Sequence, residues 1–480
     1  MTASSIACAL ARDRAHCGVW EVSAVPMDTM IVCGPIAYAI GLHALARPTS
    51  GDEGKHVTCG VSLRAESSSM PSSLTARATT TKKALTMATP IPLPVVPRTP
   101  LPLVIYVVAA GTFLMGTTEF VVAGLLPEMA TDFDTTIARS GLAITVFAVG
   151  MILGAPSMVL LTLRLPRRTT LTLALMVFAI GHIIVAISRS FEVLLAARLL
   201  TALATGAFWA VGSVVAAKAA GPAASSRALG LVLGGGMLAN VLGVPLGSFS
   251  GQLIGWRGTF WALAVLALLA GVVVARLIPA DGAERQITSV RHELCALRSR
   301  RLWLTLMICA TINAGVLSIY SYIAPLITDR AGLPVEAIPF ALMAFGIGAL
   351  VGNILGGRLG DTHPYTASFG TAAMTVLTVA GIWLFSAQPV PLLILFTFLG
   401  LFGLSANPIL VALAVRFGAD SPTLAAAMPT SIFNLGTAVG TAITSMALES
   451  SLGSLAPAIV GTIFALLTFV PLTALAIIDR

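Results

Sequence analysis

Residues 101–127 read LPLVIYVVAAGTFLMGTTEFVVAGLLP, an apolar run that closes on Pro127 and carries one charge before it, Glu119. About 20 apolar residues in a helix that rises 1.5 Å per residue cross the hydrocarbon core of a bilayer, so the stretch reads as a membrane span over 102–126. Working outward, runs of similar length recur to the end of the chain. They cover 138–162, 169–188, 191–217, 227–254 and 257–278, then 302–328, 335–357, 365–386, 388–412, 421–448 and 453–478. The fold class expected is an all-α membrane protein of about twelve transmembrane helices.

Composition points the same way. Of 480 residues, 57% are hydrophobic and 10% charged, against roughly 25% charged in a soluble domain. The mean hydropathy is +0.94. No single core could hide that much apolar surface, which excludes a soluble enzyme or a nucleic-acid binder. The formal charge of +8 reads instead as basic cytoplasmic loops. Cys8, Cys17, Cys33, Cys59, Cys295 and Cys309 show neither zinc nor paired-disulfide spacing, so no metal is expected.

The composition changes near residue 100. Residues 1–100 hold nine Lys and Arg among many Ser, Thr and Pro without a sustained period, and read as a disordered or non-native extension, with Met87 as an alternative start. The apolar patch from Met30 to Ala46 is too short to span comfortably. Beyond it, the polar segment 279–301 separates a first half, 101–278, from a second, 302–480. A shift of 198 residues superposes Pro127 on Pro325, Phe147 on Phe345, Gly150 on Gly348, Gly154 on Gly352 and Pro166 on Pro364. Two copied six-helix halves around a central pathway form a transporter architecture. Loop charge sets the orientation: thirteen basic residues, from Arg164 to Arg416, fall on one side and Arg139, Arg189, Arg257 and Arg330 on the other, which places both termini in the cytoplasm.

Small residues recur every four positions in the fifth span (Gly235, Ala239, Gly243, Gly247, Gly251) and the eighth (Gly348, Gly352, Gly356, Gly360). The second adds Gly150 and Gly154, and the eleventh Gly436 and Gly440. Such stripes let backbones approach closely. They serve either ordinary packing or a seam between the halves, spans two against eleven and five against eight. The seam is the functional reading.

Glu119 is the one carboxylate placed deep in a span, where a charge is costly and finds a partner, a cavity or a proton. Arg198 on the fourth span lies at a similar depth, roughly 10–12 Å from the outer surface by helical rise. Either it pairs with Glu119 or it locks the fold through backbone carbonyls. His182 is a second titratable group, and a lone His near a helix end reads as structural. Phe113, Phe120, Phe208, Trp209, Tyr320 and Phe433 are candidate cavity aromatics. Asn240, Asn313, Asn407 and Asn434 are candidate buried amides. No nucleotide-binding motif or catalytic constellation appears, so neither an ATP-driven pump nor an enzyme is expected.

These residues resemble the major facilitator superfamily, and within it the twelve-span drug:proton antiporters, over about 100–478. Gly116-Thr-Thr-Glu-Phe-Val-Val-Ala-Gly-Leu-Leu-Pro127 is similar to the first-helix signature of the chloramphenicol-resistance and arabinose-efflux permeases. Arg198 with Gly206 resembles the fourth-helix basic motif tied to proton transfer. Gly243-Val-Pro245-Leu-Gly247 resembles the fifth-helix antiporter motif, and Gly255-Trp-Arg-Gly-Thr-Phe-Trp261 the turn that follows it in drug exporters. Gly357-Arg358-Leu-Gly-Asp361 keeps the first part of the superfamily's cytoplasmic gate motif, and Arg164, Arg167 and Arg168 keep only its basic part, with Leu163 where an acid is expected. The resemblance implies a monomeric, proton-gradient-driven exporter of small hydrophobic compounds such as phenicol antibiotics, with no cofactor. Sugar efflux is the alternative.

Overall fold

The computed structural model describes residues 101–162, 165–221, 224–278, 299–418 and 422–479. The extension 1–100 with its Met87 start, Leu163, Arg164 and the linker up to residue 298 lie outside the described residues. Among the described residues every regular element is helical. Twelve helices among the described residues are long and apolar enough to cross a membrane. They are α1 (Leu103–Gly124), α2 (Ile137–Gly154), α3 (Arg167–Ile187), α4 (Phe191–Ala220), α5 (Arg227–Ile254) and α6 (Trp256–Leu277) in the first half. The second half holds α7 (Arg300–Ser321), α8 (Val335–Thr362), α9 (Pro364–Phe385), α10 (Pro389–Phe417), α11 (Met428–Leu448) and α12 (Gly453–Ile478).

Most ends fall near the apolar boundaries, with one instructive difference. The glycine-rich Gly357–Asp361 segment, expected in a loop, forms the last turns of α8. Glycine alone does not stop a helix that neighbouring helices support. Pro364 does, by disfavouring helical backbone at the residue before it, and His363 sits at φ −140° and ψ 68°.

Glycine contacts recur in the two halves at the same offset. In α2, a side chain at Gly150 would meet Leu199 of α4, and one at Gly154 would meet Leu203. In α8, Gly348 and Gly352 meet Thr397 and Leu401 of α10, each shifted by the same 198 residues. These contacts correct the seam reading of the stripes. Gly243 packs on Thr117 and Gly247 on Val121 of α1, while Gly436 and Gly440 pack on Ala310 and Ala314 of α7. All of these approaches lie within one half. A four-residue glycine period follows the closest-crossing neighbour, which is a helix of the same half, where backbones pack nearly in contact.

The halves meet on other faces, with α2 against α11 and α5 against α8. Gly346 of α8 lies on the backbone of Asn240 and Val241, and Gly141 lies on the ring of Tyr322. The Thr145 and Thr441 hydroxyls are 2.8 Å apart, Ser445 donates to the Ala138 carbonyl at 2.8 Å, and Gln252 donates to the Val335 carbonyl at 2.9 Å. These bonds cluster at the end that holds the α1–α2 and α7–α8 connections. The largest apolar core there mixes both halves, joining Leu126 and Ile144 to Ile319 and Ile338. Other cores belong to one half each. The connection end is therefore closed across the two halves. At that end Arg257 pairs with Asp132 and donates to the Ser188 carbonyl at 2.8 Å, fastening three connections together.

Candidate functional site between the halves

The first helix of each half breaks at a matching place. In α1 the α-helix runs Leu103–Phe120 and then tightens into a 3-10 turn, Val121–Gly124, before Pro127. In α7 it ends at Ser321; Tyr322 leaves helical backbone at φ −117° and ψ 37°, and Pro325 follows. Pro127 and Pro325 have no N–H for the carbonyl four residues back, so both helices lose a rung there. Paired discontinuous helices at corresponding positions mark the substrate and ion sites of secondary transporters.

A small cavity lies beside these breaks. Glu119 and Phe120 of α1, Ile144 and Phe147 of α2, Tyr320 and Ser321 of α7, and Asn434 of α11 line it, so two helices of each half share the wall. There is room for about one water molecule. Phe120 meets Tyr320 edge-on across the halves, with centroids 5.7 Å apart and planes at 89°, and the Tyr320 hydroxyl donates to the Phe120 carbonyl at 3.4 Å. Glu119 is thus at the boundary between halves, next to the break in its own helix. It is the carboxylate deepest in a span among the described residues.

Arg198 is fully buried. Its Nε donates to the Ala143 carbonyl at 3.3 Å, and Nη1 donates to both the carbonyl and the hydroxyl of Thr118 at 3.0 Å. The guanidinium lies over the Phe147 ring, 4.2 Å from its centroid, and Nη2 has no partner among the described residues. Thr118 Oγ1 is also 2.7 Å from His182 Nε2, and His182 Nδ1 is 2.7 Å from the Phe178 carbonyl. A carbonyl only accepts, so Nδ1 carries the hydrogen; in the neutral ring Nε2 then accepts from Thr118. Four helices of the first half, α1 to α4, are tied at one buried point. No hydrogen bond or ion pair joins Arg198 to Glu119 among the described residues. Of the two partners open to Arg198, the carbonyls hold it here.

The positions 198 residues further on carry different side chains. Arg198 over Phe147 becomes Phe396 beside Phe345, with centroids 5.1 Å apart. Thr118 becomes Val316, His182 becomes Ala380, and Glu119 becomes Leu317, which lines the same cavity. One half carries a polar cluster at this depth, and the other an apolar copy of it.

The family model described as Major Facilitator Superfamily matches residues 108–366. The chain belongs to the major facilitator superfamily. Among its relatives, the "Chloramphenicol resistance protein" of Streptomyces lividans is 36% identical over 360 residues, 74% of this chain and 92% of the relative. The "Putative transporter AraJ" of Escherichia coli K12 is 32% identical over 341 residues, 70% of this chain and 86% of the relative. In fold it is similar to a bacterial homologue of the lysosomal transporter Spinster, with a TM-score of 0.64 at 14% identity, covering 78% of this chain and 96% of that one. The protein is a multi-pass major facilitator membrane transporter, not an enzyme.

In this superfamily member the candidate cavity residues divide. Phe120, Tyr320 and Asn434 join Glu119 at the cavity. Phe208, by contrast, is fully buried, its ring filling the space over Gly111 in the first-half core. Phe113 packs on Gly243, and Trp209 on Gly236. Asn313 ties α7 to α11, donating to the Phe433 carbonyl at 2.7 Å and to Thr437 Oγ1 at 2.8 Å. Asn240 sits in a π-turn, Ala239–Gly243, just ahead of Pro245. These residues shape the helices around the cavity and do not line it, because aromatic and amide side chains in a dense bundle satisfy their neighbours first.

The glycines around Pro245 have a definite place: Gly243 and Gly247 grip α1 at Thr117 and Val121, on either side of Glu119. At the far end, Arg167 and Arg168 are half-buried at the start of α3, whereas Arg358 and Asp361 are exposed on the last turn of α8. Neither Arg358 nor Asp361 makes a hydrogen bond or ion pair among the described residues, which leave out Leu163 and Arg164. The sequence reading missed Thr118 and Ser321 and set His182 aside.

Proposed function

We propose that the chain exports small, fairly hydrophobic compounds of the phenicol type in exchange for protons, by alternating access between its two halves. The position of Glu119 carries this reading: an intramembrane carboxylate on the wall between halves, beside the paired helix breaks. Such a group exchanges a proton most readily when one side of the seam opens to water. Arg198 holds α1 beside it through Thr118, and its free Nη2 offers Glu119 a partner once the helices shift. Both roles belong to the first half, so coupling is one-sided.

The excess of basic residues at the ends of α2, α4, α6, α8 and α10 favours a cytoplasmic location for that side, with both termini inside and the chain in the cell membrane. The closed connection end then faces outward. The wall favours an apolar cargo over a sugar, since Phe120, Ala123, Ile144, Phe147, Ala148 and Leu317 outnumber Glu119, Ser321, Asn434 and Thr437, and a sugar needs many hydrogen-bond partners. The S. lividans relative's name supports a phenicol; the first-helix signature shared with arabinose-efflux permeases keeps sugars as the rival. A susceptible host expressing the full chain as a monomer in its membrane tests this. Tolerance to a phenicol should rise and vanish when a protonophore collapses the gradient. Extrusion of labelled arabinose without any effect on phenicol tolerance would favour the rival.

A further inference from the structure

Resting on the reading of Glu119 as the proton carrier, we infer that the cavity beside it is a single-water site, and that Ser321, helped by Asn434, is the residue through which the second half reads the protonation of Glu119.

Hydroxyls on these helices usually bond back to their own backbone. Ser318 does so to Ala314 at 2.7 Å, and Thr441 to Thr437 at 2.7 Å. Ser321 does not: it is fully buried, lines the cavity, and its hydroxyl has no partner among the described residues. An unpaired buried hydroxyl is costly, so this group is built to meet something in that space. Asn434, on the same wall, spends its amide N–H on the Thr430 carbonyl at 3.1 Å and keeps its Oδ1 available. The remaining walls are largely aromatic and aliphatic. A void of one-water size with a carboxylate, a hydroxyl and an amide oxygen around it satisfies what a buried water requires, two to four polar partners. Thr437, the other hydroxyl on this wall, is already spent on the Phe433 carbonyl and on Asn313, and the three side chains that remain are too few for a hard metal cation, which takes about six oxygens.

The water makes the link directional. With Glu119 ionised, the water donates to the carboxylate and to Asn434 Oδ1, and accepts from Ser321. With Glu119 protonated, the carboxyl donates to the water, the water hydrogen that had gone to the carboxylate is released and turns to Ser321 Oγ, and the Ser321 hydroxyl changes from donor to acceptor. Glu119 takes up one proton in that step and releases it in the reverse; the water and the Ser321 hydroxyl only reorient. Ser321 is the last helical residue before the break at Tyr322, so the turn falls where α7 is weakest. Glu119 and Ser321 lie on opposite halves, and a change on α1 thereby reaches α7.

Infrared difference spectra of the full chain in lipid, protonated minus ionised, test this through the carboxyl C=O stretch. A band absent from Glu119→Gln belongs to Glu119. Ser321→Ala should move that band to higher frequency and shift the pH midpoint of phenicol export, while Ser321→Thr, which keeps the hydroxyl, restores both. If Ser321→Ala does not fold, Ser321→Cys serves, since a thiol is a weak donor. A band that Glu119→Gln removes but the Ser321 variants leave in place overturns this inference alone. If Glu119→Gln removes no band, the inference and the proton-carrier reading both fall.

Discussion

The buried point where Arg198, Thr118 and His182 meet should behave as one unit, and Thr118→Val is the perturbation that exposes it. Valine keeps the shape and deletes the hydroxyl that accepts from Arg198 Nη1 at 3.0 Å and faces His182 Nε2 at 2.7 Å. Arg198 retains the Thr118 and Ala143 carbonyls, so it loses one of its bonds. His182 loses its partner at Nε2 while fully buried. Side-chain hydrogen bonds between membrane helices average about 0.6 kcal/mol and reach about 1.7 kcal/mol. A buried group left unpaired costs about 1–3 kcal/mol. Thr118→Val should therefore destabilise by about 1–3 kcal/mol. His182→Phe keeps an aromatic ring between Phe178 and Phe260, whose centroids lie 4.0 and 5.7 Å from that of His182, and should cost less, because the freed Thr118 hydroxyl can turn to its own helix. Equilibrium unfolding in detergent of both single variants and the double variant closes a cycle, and the coupling should be about 1 kcal/mol. Additivity within about 0.3–0.5 kcal/mol, the usual behaviour of independent sites, would refute the shared bond.

Two further predictions separate packing from seam and surface from core. Gly346→Val, on the backbone of Asn240 across the halves, should stop transport while the purified protein still melts cooperatively, whereas Gly352→Val, on the Leu401 backbone inside the second half, should lower the melting temperature and the yield; proteoliposome uptake and melting curves read both. Glu128, in the connection after α1, has a buried Oε2 without a partner, and burial holds its carboxyl above the usual carboxylate range. A raised acid favours the folded state when protonated, so stability should fall as pH rises through that range, and Glu128→Gln should flatten the decline in melting temperature between acid and neutral pH.

Much of this was legible in the sequence. Span length follows from bilayer thickness, and a helix that must satisfy its own backbone leaves few alternatives, so twelve apolar runs became twelve helices. Glu119 stood out because a lone charge in lipid-length apolar sequence has few bland explanations. The partners were harder to read. A four-residue glycine stripe names a close contact but not the helix that makes it, so Gly150 and Gly436 pointed at the seam when they face α4 and α7. Equal depth suggested Glu119 for Arg198, but depth says nothing about azimuth around the helix, and the carbonyls of Thr118 and Ala143 lay nearer. Ser321 carried no signal beyond one offset: moving Glu119 by 198 residues lands on Leu317, one turn from Ser321 on the same cavity.

The central claim is that Glu119 couples the proton gradient to export. Proteoliposomes holding the full chain, loaded with a neutral phenicol and subjected to an imposed pH gradient, measure it directly. Wild-type protein should move the drug against its concentration in response to the gradient, and Glu119→Gln should still exchange drug for drug but no longer respond to pH. Undiminished gradient-driven movement of the neutral drug in Glu119→Gln would contradict the account.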